Sequence, residues 1–240
     1  MTPEASALAA LLVAGHALGD FVFQTHGMIR RKARASGLAA HGAVVAVCQL
    51  GALTPFLGTR TALAVLAIVV AHVAVDAVKV LVSRRSHSRE LEVFALDQLA
   101  HLLVLAAAWA WLAPQVRFVD VWLAHPAALA TVGALVAGYA FNVNGMSAVV
   151  MSVLARCRLA QRDGGPSAGR LIGILERMFA LTLVLLDHWE ALGFLAAAKS
   201  LARFKELDER RRAEYYLVGT LASLLGATAT AILLKALLHR

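Results

Sequence analysis

The sequence predicts an all-α membrane protein: a polytopic bundle of about 7–8 transmembrane helices with both termini outside. Three observations predict this class, namely a 60% share of hydrophobic residues, a 16% share of charged residues and a mean hydropathy of +0.72. Soluble domains carry about 25% charged residues. Long apolar runs joined by short basic connections are typical of chains that cross a bilayer several times.

Eight apolar segments follow one another along the chain, and most approach the roughly 20 residues that cross a bilayer. They lie at residues 5–23, 38–57, 61–82, 91–112, 127–154, 169–186, 189–203 and 213–238. The seventh is short, so we expect it to be tilted, partial or re-entrant. No long linker divides the chain. We therefore expect one integral-membrane domain over 1–240, with a front half of about 1–112 and a back half of about 127–240.

The distribution of basic residues predicts the orientation. Of 23 Lys and Arg residues, seventeen lie in or beside the connections after the first, third, fifth and seventh segments. Because positively charged loops stay in the cytoplasm, these connections are expected to be cytoplasmic and both termini to be outside. The net charge of +8 is thus assigned to topology. We expect membrane lipids as partners and no nucleic acid.

Three His/Asp pairs, each four residues apart, lie inside the apolar segments. They are His16 and Asp20 in HALGD, His72 and Asp76 in HVAVD, and Asp97 and His101 in FALDQLAHLL. The order is reversed only in the segment that runs antiparallel to the other two. All three aspartates are therefore expected at one depth, with the histidines one helical turn away and His41 nearby. This arrangement predicts one shared polar site.

The residue types in these pairs favour metal chemistry. Ionisable side chains within hydrocarbon are costly and usually mark function, and carboxylate with imidazole suits a divalent cation such as Zn²⁺ or Mn²⁺. We expect one ion, or two ions bridged by an aspartate and a water. The predicted ligands are His16, Asp20, His41, His72, Asp76, Asp97 and His101, and the three aspartates are also the predicted catalytic residues. A metal-free proton or hydrogen-bond network is the alternative.

A second set of polar residues is expected to bind an anionic substrate, because Arg forks and Lys charges suit phosphate. The set is Gln24, Lys79, Glu176, Arg177, Lys199 and Arg203. Glu176 and Arg177 point about 100° apart on a helix, so each is expected to need a partner from another helix. In the alternative interpretation, Lys199 and Arg203 only determine topology against anionic lipid, and Lys79 snorkels to the interface or neutralises Asp76.

A series of motifs resembles the bacterial integral-membrane family known as domain of unknown function 3307. The motifs are HALGDFVFQ, AAHGAVV, AHVAVDAVK, FALDQLAHLL, GRLIGILERMF, AAKSLARF and AEYYLVGTLAS. The resemblance implies a multi-pass protein of the bacterial inner (cytoplasmic) membrane and supplies no activity. Its motif residues correspond to His16, Asp20, Gln24, His41, His72, Asp76, Lys79, Asp97, Gln98, His101, Glu176, Arg177, Lys199, Arg203 and Glu214. A weaker likeness links the chain to membrane-bound metal-dependent hydrolases, whose His-Arg and Thr-His-Ser signatures it lacks.

Different classes of function remain open. The first is a membrane-embedded metal-dependent hydrolase or phosphotransferase that acts on a lipid or isoprenoid phosphate from the cytoplasmic leaflet. The second is a divalent-cation transporter, because an HxxxD pair resembles the metal-binding helices of cation diffusion facilitators. Cations near the site favour phosphate over cation passage. A non-catalytic lipid-binding or scaffold protein is the third. The metal, the substrate and the oligomeric state stay open.

Overall fold

The computed structural model describes residues 2–83, 89–115, 125–159, 168–202, 204 and 209–238. Every regular element within these ranges is helical, which confirms the predicted all-α class. The chain divides into two compact units, Met1–Phe141 and Asn142–Arg240. They are described separately as unit 1 and unit 2.

Unit 1 is a helical bundle organised around its first helix. Its elements are α1 (Pro3–Ala17), a π-helical segment π1 (Leu18–Val22), α2 (His26–Arg31), α3 (Ala35–Ala52), α4 (Thr59–Ser83), α5 (Glu90–Leu112) and α6 (Pro126–Ala140), with 3₁₀ turns at Thr54–Phe56 and Ala113–Gln115. Helix α1 packs against α3, α5 and α6, while α4 lies between α3 and α5. The apolar window of α1 and π1 is 67% buried, against 17% for that of α5, so α1 is the central helix.

The interior of unit 1 has an apolar end and a polar end. Apolar side chains from the first two thirds of α1, the first half of α4 and the second half of α5 form one core cluster, which includes Leu8, Leu12, Ile68 and Leu105. The His/Asp pairs occupy the opposite halves of the same helices. Asp76 and Asp97 each lie seven residues from a helix end, at Ser83 and Glu90, which corresponds to about 10 Å along the axis.

Unit 2 consists of four α-helices and a second π-helical segment within the part of the chain that is described. These are π2 (Phe141–Gly145, from Asn142 onward), α7 (Met146–Arg156), α8 (Ala168–Leu185), α9 (Trp189–Ala202) and α10 (Arg210–Leu238). Helix α10 packs against α7 and α8, and α8 packs against α9. A helix therefore stands at each of the eight apolar segments expected from the sequence.

Six helical segments are long and apolar enough to cross a membrane by length and composition. They are Pro3–Val22, Ala35–Ala52, Thr59–Ser83, Glu90–Gln115, Pro126–Arg156 and Arg210–Leu238. The other two expected spans, α8 and α9, carry more charge or are shorter than these six. Helix α8 carries Arg170, Glu176 and Arg177 within its 18 residues, and α9 has only 14 residues.

The distribution of side chains agrees with a membrane protein, because apolar groups cover its outside and ionisable groups lie within. On α4, Val70 and Val78 are 62% and 58% exposed, whereas His72 and Asp76 are each 1% exposed. Exposed leucines cover α5 in the same way, while Asp97 is buried. Such an apolar surface favours aggregation in water, whereas it is the surface expected for a protein surrounded by lipid.

Candidate metal centre

The structure brings the seven predicted metal ligands together inside unit 1. They come from five neighbouring elements: His16 from α1 and Asp20 from π1, His41 from α3, His72 and Asp76 from α4, and Asp97 and His101 from α5. All seven are buried. The predicted convergence of the three His/Asp pairs is thus confirmed. Their role in holding a metal stays a prediction.

The position of Asp20 depends on the π-helical segment. The chain changes from α-helix to π-helix at Leu18, between His16 and Asp20, and π turns of this kind are frequent at functional sites. The wider turn leaves Asp20 Oδ2 3.9 Å from His16 Nε2, while Asp20 Oδ1 reaches the histidines of α3 and α4. Asp20 therefore connects two groups of ligands.

Four side-chain atoms converge at the centre of the cluster: Asp20 Oδ1, His41 Nε2, His72 Nε2 and Asp76 Oδ2. The two nitrogens are 3.0 Å apart. Asp20 Oδ1 lies 3.1 Å from His41 Nε2 and 3.2 Å from His72 Nε2. Asp76 Oδ2 lies 3.3 Å and 3.5 Å from the same two nitrogens. A tetrahedral zinc site with bonds of about 2.05 Å separates its ligand atoms by about 3.3 Å.

Hydrogen bonds alone do not account for this convergence. Each imidazole Nε2 carries either one proton or one lone pair, so it makes one good hydrogen bond. Yet His41 Nε2 has two carboxylate oxygens, a second imidazole nitrogen and the Gln24 amide nitrogen within 3.3 Å. A cation placed between the donors satisfies both nitrogens and both oxygens at once. The donor set therefore fits a divalent metal such as Zn²⁺ or Mn²⁺.

Lys32 is a member of the cluster that sequence reasoning missed. Its Nζ donates a hydrogen bond of 2.7 Å to Asp76 Oδ2, and the lysine is 8% exposed. The sequence places Lys32 in the basic stretch RRKAR after the first apolar segment, where its charge is expected only to determine topology. No periodic signal separates Lys32 from its neighbours, because the inward turn depends on the short helix α2, which Thr25 caps through its hydroxyl.

A second ion pair lies at the edge of the cluster. Lys79 Nζ donates to Asp97 Oδ2 at 2.7 Å, and the Gln98 amide donates to the same oxygen at 3.0 Å. Gln98 Oε1 lies 3.3 Å from His16 Nε2, which connects this pair to α1. Lys79 thus neutralises Asp97 on α5. One interpretation of the sequence was that Lys79 neutralises Asp76, which lies on the same helix as the lysine. The Lys79 side chain is 31% exposed.

Close helix contacts beside the ligands hold the cluster together. A Cβ added at Gly42, next to His41, would lie 2.8 Å from a methyl group of Val73 on α4. One added at Gly19, next to Asp20, would lie 3.2 Å from Val45 on α3. Small residues allow membrane helices to approach in this way. These contacts determine how closely the side chains of the three elements meet.

The polar residues predicted in the back half form two separate clusters in unit 2. Lys199 of α9 forms an ion pair with Glu176 of α8 and lies 5.5 Å from the ring centre of Tyr216. Arg177 is 3% exposed and donates to the backbone carbonyls of Asn142 and Val143 in π2. Arg177 also donates to the hydroxyls of two serines, one on α7 and one on α10.

The expectation that Glu176 and Arg177 each need a partner from another helix is therefore confirmed. Arg203 lies outside the described residues. Glu214 forms an exposed ion pair with Arg210. In the described part of unit 2, the predicted phosphate-binding cations Arg177 and Lys199 both contact protein groups.

The fold and the cluster define the class: an all-helical membrane protein whose first unit contains a buried His/Asp/Lys centre. The chain belongs to the family described as "Protein of unknown function (DUF3307)", which matches residues 7–129, just over half of its length. All seven predicted ligands and Lys32 fall in that range, and the back-half residues lie beyond it. No curated protein and no solved structure matches the chain.

Proposed function

We propose that this protein is a metal-dependent hydrolase or phosphotransferase that acts on a lipid or isoprenoid phosphate from the cytoplasmic leaflet of a bacterial inner membrane. The observation that supports it most is the convergence of four donor atoms in the half of the bundle next to the basic connections: two imidazole nitrogens 3.0 Å apart and two carboxylate oxygens, each 3.1–3.5 Å from both nitrogens. A divalent metal held there would make a bound water acidic enough to act as a nucleophile at neutral pH.

The contact between Lys32 and Asp76 supports an enzyme rather than a closed structural site. Catalytic zinc sites use three protein ligands and keep one position for water, and two histidines with a carboxylate are one such set. Asp20, His41 and His72 supply that set. Asp76 Oδ2 already accepts a hydrogen bond from Lys32, so Asp76 remains beside the open position. There it takes the proton of the attacking water and returns it to the leaving oxygen as the P–O bond breaks.

The charge of the centre supports an anionic substrate. Three carboxylates against the ammonium groups of Lys32 and Lys79 leave one net negative charge when the histidines are neutral. A divalent metal changes this to one net positive charge, which a phosphate group balances. Lys79 is the more exposed of the two lysines and is assigned to orient the phosphate together with Gln24, which contacts His41.

The approach of Asp76 Oδ2 to within 3.5 Å of both histidine nitrogens favours a second candidate, a divalent-cation transporter. If Asp76 leaves Lys32 and joins the metal, two histidines and two aspartates fill a tetrahedral shell and leave no position for water. Such a site binds a cation without activating a nucleophile. In this case Lys32 takes the Asp76 oxygen back when the cation leaves, which gives the site two alternating states.

The experiment uses untagged protein, purified without chelator and placed in liposomes that contain phosphatidic acid or an isoprenoid diphosphate. We expect phosphate release with Zn²⁺ or Mn²⁺ and none after chelation. Asp76→Asn is expected to lower the turnover at least 100-fold, whereas Asp187→Asn, a change at an exposed aspartate of unit 2, leaves it unchanged. Lys79→Ala is expected to keep the metal and raise KM.

The same liposomes test the competing functions. Entry of Zn²⁺ or Mn²⁺ into the liposomes, with no phosphate released from either lipid, replaces the enzyme with the transporter. If the protein stays in the liposomes but neither binds metal nor releases phosphate, it is a non-catalytic lipid-binding or scaffold protein. An unchanged turnover in Asp76→Asn contradicts the role given to that carboxylate.

A further inference from the structure

Next to these four atoms lies a second group of possible ligands, of which the proposed chemistry uses only Asp20. It contains His16, Asp20 and His101. One ligand atom from each lies within 4.8 Å of the other two. The rings of His16 and His101 are stacked, with their centres 5.1 Å apart. All three residues are buried.

The hydrogen bonding of His101 points to an absent cation. Its Nδ1 lies 2.9 Å from the backbone carbonyl oxygen of Asp97, which can only accept, so Nδ1 carries the proton. Nε2 therefore has a free lone pair. Within the described residues this buried nitrogen has no hydrogen-bond donor, although His101 is only 2% exposed. A carbonyl that fixes the tautomer behind an imidazole is the usual support for a metal-bound histidine.

Asp20 joins this group to the first one. Oδ1 lies 3.1 Å and 3.2 Å from the Nε2 atoms of His41 and His72, while Oδ2 faces His16 Nε2 at 3.9 Å. One carboxylate thus presents an oxygen to each group. In two-metal hydrolytic sites, a bridging carboxylate of this kind holds ions about 3.5–4 Å apart.

We propose a second divalent-cation position, held by His16, His101 and the bridging Asp20, so that the centre binds two metals. This inference deepens the function proposed above and rests on its first metal position. In the second group, His16 Nε2 and Asp20 Oδ2 are 3.9 Å apart, wider than the 3.1–3.5 Å between the carboxylate oxygens and the imidazole nitrogens of the first group. They must close around the ion, so the second metal binds more weakly, and the larger Mn²⁺ suits it better than Zn²⁺.

A pure hydrogen-bond network explains these contacts less well. His16 Nε2 has a neutral partner in Gln98 Oε1 and a charged one in Asp20, so the network satisfies His16. It leaves His101 Nε2 with a lone pair and no donor in a buried position, so the cost of removing this nitrogen from water is not compensated. A second cation would remove that cost. With the first metal it would also allow one ion to contact the attacking oxygen and the other the leaving oxygen.

The test is a titration of untagged protein with Mn²⁺ in phosphatidylcholine nanodiscs, followed by elemental analysis and electron paramagnetic resonance. We expect two Mn²⁺ per chain in two affinity classes at least tenfold apart, and a spin-coupled spectrum once both are bound. His101→Gln is expected to bind one Mn²⁺ with an uncoupled spectrum. The control His125→Gln, at an exposed histidine outside the cluster, is expected to bind two.

The outcomes separate this inference from the proposed function. One uncoupled Mn²⁺ per wild-type chain at saturation overturns the second position, and phosphate release by that protein leaves the enzyme standing. Two coupled ions without phosphate release support the second position and contradict the enzyme. No bound metal overturns both. The wild-type spectrum decides the question even if the His101 variant does not fold.

Discussion

Replacing Lys32 by Gln tests the centre most directly, because the lysine ammonium and a metal beside Asp76 would both neutralise the same carboxylate. Lys32 Nζ lies 2.7 Å from Asp76 Oδ2, and both side chains are at most 10% exposed. Removing one member of a buried ion pair costs about 3–5 kcal/mol, since the other charge stays buried and unpaired. In the presence of chelator, Lys32→Gln is expected to lower the free energy of unfolding by that amount.

The metal-loaded protein is expected to lose much less. There the cation neutralises Asp76, and the variant loses only one hydrogen bond, which amounts to about 1–2 kcal/mol. Because the binding and unfolding equilibria form a cycle, the difference of about 2–3 kcal/mol must appear in metal binding. Lys32→Gln is therefore expected to bind Zn²⁺ about 30- to 150-fold more tightly than the wild type. Stability without metal and affinity for metal change in opposite directions.

Unfolding in mixed micelles, followed by the fluorescence of the four tryptophans, measures stability with chelator and with Zn²⁺. Competition with a chromophoric chelator measures the dissociation constant. Lys79→Gln is the matched control. Its ion pair with Asp97 has the same 2.7 Å length, but the lysine is 31% exposed and Asp97 Oδ2 is not one of the four converging atoms. Its metal affinity is expected to stay within about threefold of the wild type, because a more exposed pair is screened by water. Unchanged or weaker metal binding by Lys32→Gln refutes the placement of the metal beside Asp76.

Three further predictions follow from the packing and the topology. Gly42→Ala is expected to lower the free energy of unfolding by about 1–3 kcal/mol and to weaken metal binding, because its new methyl group overlaps the facing valine of α4. The control Gly51→Ala meets nothing within 4 Å and is expected to be tolerated. Equal effects of the two changes contradict the role of the close approach. Arg177→Met is expected to lower the free energy of unfolding by about 1.5–3 kcal/mol, because the variant loses the hydrogen bonds to π2. If the stability is unchanged and KM is raised instead, Arg177 binds substrate. In a background without native cysteines, Arg34→Cys is expected to react with a thiol reagent only from the cytoplasmic side and Thr59→Cys only from outside, and the opposite pattern inverts the topology.

Much of the centre follows from local sequence rules. The spacing of four residues places His72 and Asp76 on one face of a helix, and the reversed order of Asp97 and His101 restores the same depth in an antiparallel span. The cost of an ionisable group in lipid directs these faces towards the interior. Both inferences need only the helical period and the solvent, so they precede any knowledge of how the helices pack.

Unit 2 illustrates where such rules stop. The adjacent Glu176 and Arg177 were expected to need separate partners, because neighbours on a helix diverge by about 100°. The sequence does not identify the partners themselves: Lys199 lies 23 residues from Glu176, and Arg177 donates to backbone carbonyls of the π-helical segment π2. A π turn has no sequence signature as clear as a cap.

The sequence by itself thus determined the helical membrane class and the residues available to the centre, since hydropathy and helical period act locally. Only the tertiary structure decided that one oxygen each of Asp20 and Asp76 lies within 3.5 Å of the Nε2 atoms of His41 and His72, and that Lys32 belongs to this cluster. Those distances depend on the rotation of each helix about its axis and on the separation between helices. Both are set by contacts such as Gly42 against α4, by the widened turn at Asp20 and by the fold of α2, which join residues far apart in the chain.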